Sequence, residues 1–185
     1  MKDYQPWDAS WKDDIIEILL LKQINKPVEM PMLFGYPVFL KALNDGVKGE
    51  ELWKAIAGTM IYIMGHQPDN NKISSYVYWI KHYNPSIYRE LVYDGVNQIL
   101  KGKFEKPIWL FQAALIIEPQ KTEVHYNLGL AFYHMGLELI VNDKKQEGRS
   151  CWRQAIRYFK NVLEIDTKLS LAQYYLECIY KEIEN

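Results

Sequence analysis

The sequence predicts an all-α fold built from stacked helix pairs, on three observations. Between Thr122 and Asp166, Val124, Leu128, Ala131, Phe132 and Met135 fall at helical spacing, and after a polar stretch so do Trp152, Ala155, Ile156, Phe159, Val162 and Leu163. Both stripes have echoes upstream. A shift of 34 residues lays Gly129 on Gly95, Gly136 on Gly102 and Pro119 on Pro85, and a shift of 48 lays Phe159 on Phe111, Leu163 on Leu115 and Ile165 on Ile117. The difference, 48 − 34, is a 14-residue insertion inside the last pair. The third observation is composition: 49% hydrophobic and 24% charged residues in 185 are enough to bury a core.

In order along the chain, Asp8 or Ser10 can cap a helix from Trp11 to Ile24, apolar nearly all round through Ile15, Ile16, Ile18 and Leu19 to Leu21, and stopped by Asn25-Lys26-Pro27. Such a helix must be covered, so it is expected to pack on the body of the protein or to fill a groove in it. Pro27, Pro31, Gly35 and Pro37 make the next stretch irregular, up to a short helix at about 38–44 that ends at Asp45-Gly46. Residues 1–50 therefore read as an N-terminal helical or irregular extension on the array.

From Glu51, Leu52, Ala55, Ile56, Met60, Ile63 and Met64 form a helical stripe ending at Gly65 and Pro68. Asp69 or Asn70 can cap its partner helix, which carries Val77 and Ile80 and closes at Asn84-Pro85. This degenerate pair occupies 51–85, a clearer pair with Gly102 in its turn occupies 86–121, and the pair with the insertion occupies 122–169. A capping helix over 170–185 carries Leu171, Ala172, Tyr175, Leu176, Ile179 and Ile183. Divided equally, the insertion adds seven residues, close to two turns, to each helix of its pair, which should then project about 10 Å beyond its neighbours. Leu137, Leu139, Ile140 and Val141 on one arm and Arg149 to Trp152 on the other would flank a polar tip near 142–148.

Tyr126-Asn127-Leu128-Gly129-Leu130-Ala131-Phe132-Tyr133-His134-Met135-Gly136 resembles the first helix of a tetratricopeptide repeat, and Ala155 to Asp166 resembles the second. Three positions depart from the family pattern: Thr167 replaces a proline, Pro107 an alanine, and Asp94 the leucine before Gly95. The resemblance implies a right-handed α–α superhelix of TPR-like repeats with an extra N-terminal region. It also implies a concave groove lined by the first helix of each pair, where peptides bind. Carried over, the groove positions are Tyr62, Val92, Val96, Ile99, Tyr126, Asn127, Leu130, Tyr133 and Tyr174. Of the polar clamp by which some members grip a chaperone's carboxylate tail, only Asn127 matches; Val92, Val96, Leu171 and Tyr175 hold its other positions.

Chemistry of other kinds has little support. Net charge is −1, and Lys plus Arg match Asp plus Glu closely over residues 1–50, 51–100, 101–150 and 151–185, so nucleic acid is not an expected partner. The first helix lacks a basic face, so membrane attachment is not expected either. Residues 1–7 are too polar for a signal sequence, and a cytoplasmic protein is expected. Cys151 and Cys178 have no metal or redox spacing, and no phosphate loop, Gly-x-Ser-x-Gly elbow or His-Glu-x-x-His pair is present. His125 and His134 fall on opposite faces of one helix; His134 and Glu138 share one, as helical neighbours commonly do. The expectation is a non-enzymatic scaffold with no metal and no cofactor, binding an unidentified protein or peptide in an apolar, aromatic groove. The alternative is a homo-oligomeric assembly module using the elongated pair around 137–152.

Overall fold

The computed structural model describes residues 15–18, 36–39, 45–46 and 48–184, which form two strands and seven α-helices. Predominantly helical structure agrees with the pattern of the sequence. The chain divides into two compact units, Met1–Ile87 and Tyr88–Asn185. The degenerate pair expected at 51–85 thus belongs to the first unit. Among the described residues no helix is long and apolar enough to cross a membrane.

The first unit corrects two expectations. Ile15–Ile18, the centre of the expected helix from Trp11 to Ile24, is strand β1, and Tyr36–Phe39, overlapping the expected short helix at 38–44, is strand β2. They pair antiparallel, with Ile15 opposite Phe39 and Ile18 opposite Tyr36. Three of the four residues in β1 are isoleucine, and β2 contributes Val38 and Phe39: branched and aromatic side chains that lose less on a pleated ribbon than against a helical turn. The stripe was legible, its period was not. The rest of the expected 11–24 helix lies outside the described residues. Pro37, which has no N–H to give a ladder, is tolerated because both strands of a two-stranded ribbon are edges.

Strand β2 lies against α1 (Gly49–His66), which also packs on α2 (Ile73–Tyr83). Helix α1 is buried almost all round, from Leu52 through Gly65 with only Lys54 outside, so it is a central helix and not a half-exposed one. The buried Thr59 hydroxyl is satisfied within the helix: its Oγ1 donates to the Ala55 carbonyl at 2.8 Å. Trp53 stacks on Trp79 at 5.8 Å, and Trp79 in turn on Tyr83 at 4.8 Å. Helix α2 starts after an Asx turn in which the Lys72 N–H donates to Asn70 Oδ1 at 2.9 Å.

The second unit is two helix pairs and a last helix: α3 (Ile87–Leu100) with α4 (Glu105–Ile117), α5 (Thr122–Val141) with α6 (Lys145–Ile165), then α7 (Ser170–Glu184). The 34- and 48-residue echoes are packing identities. A Cβ on Gly95 would lie 2.5 Å from the ring of Phe111, and one on Gly129 would lie 2.5 Å from the ring of Phe159; both phenylalanines are fully buried. In each pair a glycine lets a phenylalanine ring rest on the backbone of the facing helix.

The departures from the repeat pattern have local reasons. Asp94 is held by Lys106 of the facing helix at 2.9 Å and accepts from Gln98 Nε2 at 3.4 Å. Pro107 sits in the first turn of α4, where a missing N–H costs nothing. Thr167 follows Asp166, whose Oδ1 accepts the Lys168 N–H at 3.0 Å; Asn84 does the same for the Ser86 N–H at 3.0 Å before Pro85 is passed. An Asx turn serves at Asp166 without proline.

The insertion behaves nearly as its length requires. Helices α5 and α6 have 20 and 21 residues against 14 and 13 in α3 and α4, gains of 6 and 8 that sum to 14. The polar tip is shorter than expected, because α6 already begins at Lys145. Helix α3 ends with Gly102 at φ 69°, the Lys103 N–H reaching Gln98 O and the Gly102 N–H reaching Ile99 O. Helix α5 ends with the same pair of bonds, Lys144 to Leu139 and Asp143 to Ile140, with Asp143 at φ 61° in the glycine's place. Gly136, which the sequence aligns with the turn glycine Gly102, instead lies inside α5.

Candidate functional site

Helix α5 buries Val124, Leu128, Ala131 and Phe132, and α7 buries Ala172, Leu176 and Ile179. The residues between these stripes form an aromatic face. Tyr126, Asn127, Leu130 and Tyr133 are half-buried on α5, and Tyr174 on α7 is 58% exposed. Tyr175 joins them. Its ring stacks on Phe159 at 5.4 Å and 8°, meets Tyr133 edge-on at 5.1 Å and Tyr126 at 6.3 Å, and lies 5.4 Å from Tyr174. Edge-to-face and offset pairs of this kind are mutually attractive, so the face is pre-formed.

Tyr175 was legible as a clamp position but not as the hub of this cluster. The available signal was its place one residue after Tyr174 and three after Ala172, which turns it inward between an exposed ring and a buried stripe.

Helix α3 contributes Val92, Val96 and Ile99, all half-buried and at helical spacing. It runs beside α5 in the same direction. Near their starts the Tyr88 hydroxyl donates to Glu123 Oε1 at 2.6 Å, and Lys121 lies over the Tyr88 ring at 5.6 Å. Beyond the end of α3, Phe104 stacks on His134 of α5 at 5.4 Å. Tyr62, the remaining expected wall residue, belongs to the first unit and is only 5% exposed, its ring stacked on His66 at 3.9 Å. It is placed in a core because α1 is covered nearly all round.

The ring cluster of Tyr126, Tyr133, Tyr174, Tyr175 and Phe159 contains no formally charged side chain. Burial pushes the Tyr126 and Tyr133 hydroxyls above the ordinary phenol range, and a hydrogen bond with the Cys178 thiol does the same for Tyr174. Burial lowers the pKa of His134, which favours its neutral form. The arrangement offers flat apolar surface with protonated hydroxyls and one amide, Asn127. The Cys151 thiol is buried and pushed up, which disfavours its thiolate form. His125 is turned elsewhere, its Nε2 donating to the Pro119 carbonyl at 3.1 Å. Among the described residues no group of three or more His, Cys, Asp or Glu is placed to hold a metal ion.

The elongated pair covers part of its own apolar flanks: Trp152 is buried, while Leu137, Leu139 and Ile140 are half-buried. A Cβ on Gly136 would lie 2.5 Å from the Trp152 ring and 3.0 Å from the Gly148 carbonyl, and one on Gly148 would lie 2.7 Å from the Gly136 carbonyl, so the two backbones touch there. Trp152 is buried in that crossing and donates its indole N–H to the Tyr133 carbonyl at 3.2 Å. Val141, at 82% exposure, is the large apolar residue left open at the tip. No protein-family model, curated protein or solved structure matches the chain.

Proposed function

We propose that the chain is a non-enzymatic scaffold of the tetratricopeptide type, whose aromatic face binds an extended or helical peptide of a partner protein. The observation that carries this reading is the pre-formed, uncharged cluster of Tyr126, Tyr133, Tyr174 and Tyr175, open on the side of Tyr174 and Leu171. Rigid tyrosines give large contact area at little cost in side-chain entropy, which is the usual chemistry of binding hot spots. The matched glycine–phenylalanine locks and the parallel run of α3 beside α5 support the repeat reading. The elongated pair is a weaker candidate for self-assembly, since its two arms already touch each other at Gly136 and Gly148.

Peptides selected from a random library for binding to the full chain test the reading. Changing Leu171 and Tyr174 together to alanine should weaken the selected peptides by about tenfold or more, the scale of a hot-spot loss. Both side chains are exposed, so the fold should survive. Equal binding by the variant would place the peptides elsewhere and end the proposal.

A further inference from the structure

Helix α6 carries Lys145, Arg149, Arg153, Arg157 and Lys160, all exposed. The first four are spaced by four residues and Lys160 by three, so they form one stripe, about 6 Å per step along the axis. The stripe lies away from the side on which Cys151, Trp152, Ala155, Phe159 and Val162 are buried. Against these five cations the helix has two acids, Glu147 and Glu164, a net of 5 − 2 = +3 in a chain of net −1. Among the described residues none of the five has an ion-pair partner.

Three successive steps, Lys145 to Arg149, Arg149 to Arg153 and Arg153 to Arg157, are like-charge pairs at the spacing where helical neighbours repel. Lys145 also stands at the helix N-terminus, where the helix dipole disfavours a cation. Elsewhere the chain uses the opposite device, as in Glu50 and Lys54, paired four residues apart at 2.9 Å. The stripe is therefore a self-repelling ridge whose repulsion an anionic partner would relieve.

We propose that this ridge is a docking surface for an acidic helical segment of a partner protein, one that presents carboxylates at four-residue spacing. Such a helix repeats at the same interval as the ridge, and the three arginines can each take a carboxylate through two N–H donors. The ridge is also bounded: Asp143 precedes it, and Glu164 and Asp166 follow it. Those acids match a partner whose charge stops after a few turns, and would repel a nucleic-acid backbone running past them.

The test is fluorescence anisotropy of a labelled helical peptide of about eighteen residues, with glutamate at every fourth position, titrated with the full chain at low salt. Saturable binding that weakens about tenfold in R153Q/R157Q, and falls further as salt is raised, is expected. The variant should melt no lower than the parent, because like-charge repulsion has been removed. A peptide with lysine in place of glutamate should bind R153E/R157E and not the parent. Absence of saturable binding, equal binding by R153Q/R157Q, or tighter binding of a DNA duplex or of anionic vesicles than of the peptide would overturn the proposal.

Discussion

The two helix pairs of the second unit solve one packing problem at two lengths. In the short pair Gly95 receives Phe111 and the turn is made by Gly102; in the long pair Gly129 receives Phe159, and the turn is made by Asp143. What the insertion moved is the turn, not the lock. The turn lies 143 − 102 = 41 residues on, the 34-residue period plus seven, close to two helical turns, so the stripes keep their phase. Gly136, freed from turning the chain, became with Gly148 the point where the added arms touch. A glycine that gives φ freedom in one pair gives proximity in the other.

The comparison can be broken first at the rings. Phe159→Ala and Phe111→Ala each empty a fully buried site, and each should cost about 3–5 kcal/mol in urea unfolding, with similar values if the locks are equivalent. A difference well beyond the error of the extrapolation would deny the equivalence.

Gly129→Ala and Gly95→Ala come next. Overpacking costs about 1–3 kcal/mol, and better helix propensity returns up to about 1 kcal/mol, so a net loss of about 1–2 kcal/mol is expected at both sites. A gain at either would show that the ring there can move aside.

The turns sharpen the contrast. Gly102→Ala meets no steric neighbour but must hold φ 69°, a cost of about 1 kcal/mol, whereas Asp143→Gly relieves φ 61° and should stabilise by less than about 1 kcal/mol. Opposite signs are the signature to look for. If Asp143→Gly destabilises, the aspartate does something in the turn beyond adopting it.

The smallest effect is a pH dependence. The hydrogen bond from Tyr88 is the leading cause that lowers the pKa of Glu123 below its ordinary 4.5. A depressed folded-state pKa means stabilisation that is present above about pH 4.5 and is lost as pH falls through the lower, folded value. The pair is exposed, so the gain is small. Tyr88→Phe should flatten the acid side of the stability profile slightly and leave the neutral side little changed; an unaltered acid limb would mean that the bond is not kept in solution.

What was legible depended on how far a residue's role is set by its own helix. The stripes of α3 to α7, the period and the length of the insertion were all readable because apolar spacing fixes a helix and its phase. The strand at Ile15–Ile18 was misread because a short apolar run fits both periods, and pairing with Tyr36–Phe39 decided it. The burial of Tyr62 was not legible because nothing within its own helix says how many sides will be covered. On the aromatic face, the family resemblance pointed to Tyr126, Leu130, Tyr133 and Tyr174 but not to Tyr175 as hub, which depends on Phe159 arriving from another helix. Charge counted in blocks of fifty hid the ridge of α6, since the count divides Lys145 and Arg149 from Arg153, Arg157 and Lys160 and dilutes both groups with acids from neighbouring elements.

Trp152 gives the molecule a built-in reporter. Its indole proton is spent on the carbonyl of Tyr133, the residue whose ring stands in the aromatic face, while its own ring is wedged where two backbones meet. A contact that shifts the Tyr133 backbone should therefore change the surroundings of the Trp152 indole hydrogen. If a peptide binds the tyrosine face as proposed, the indole proton of Trp152 is the resonance expected to report it.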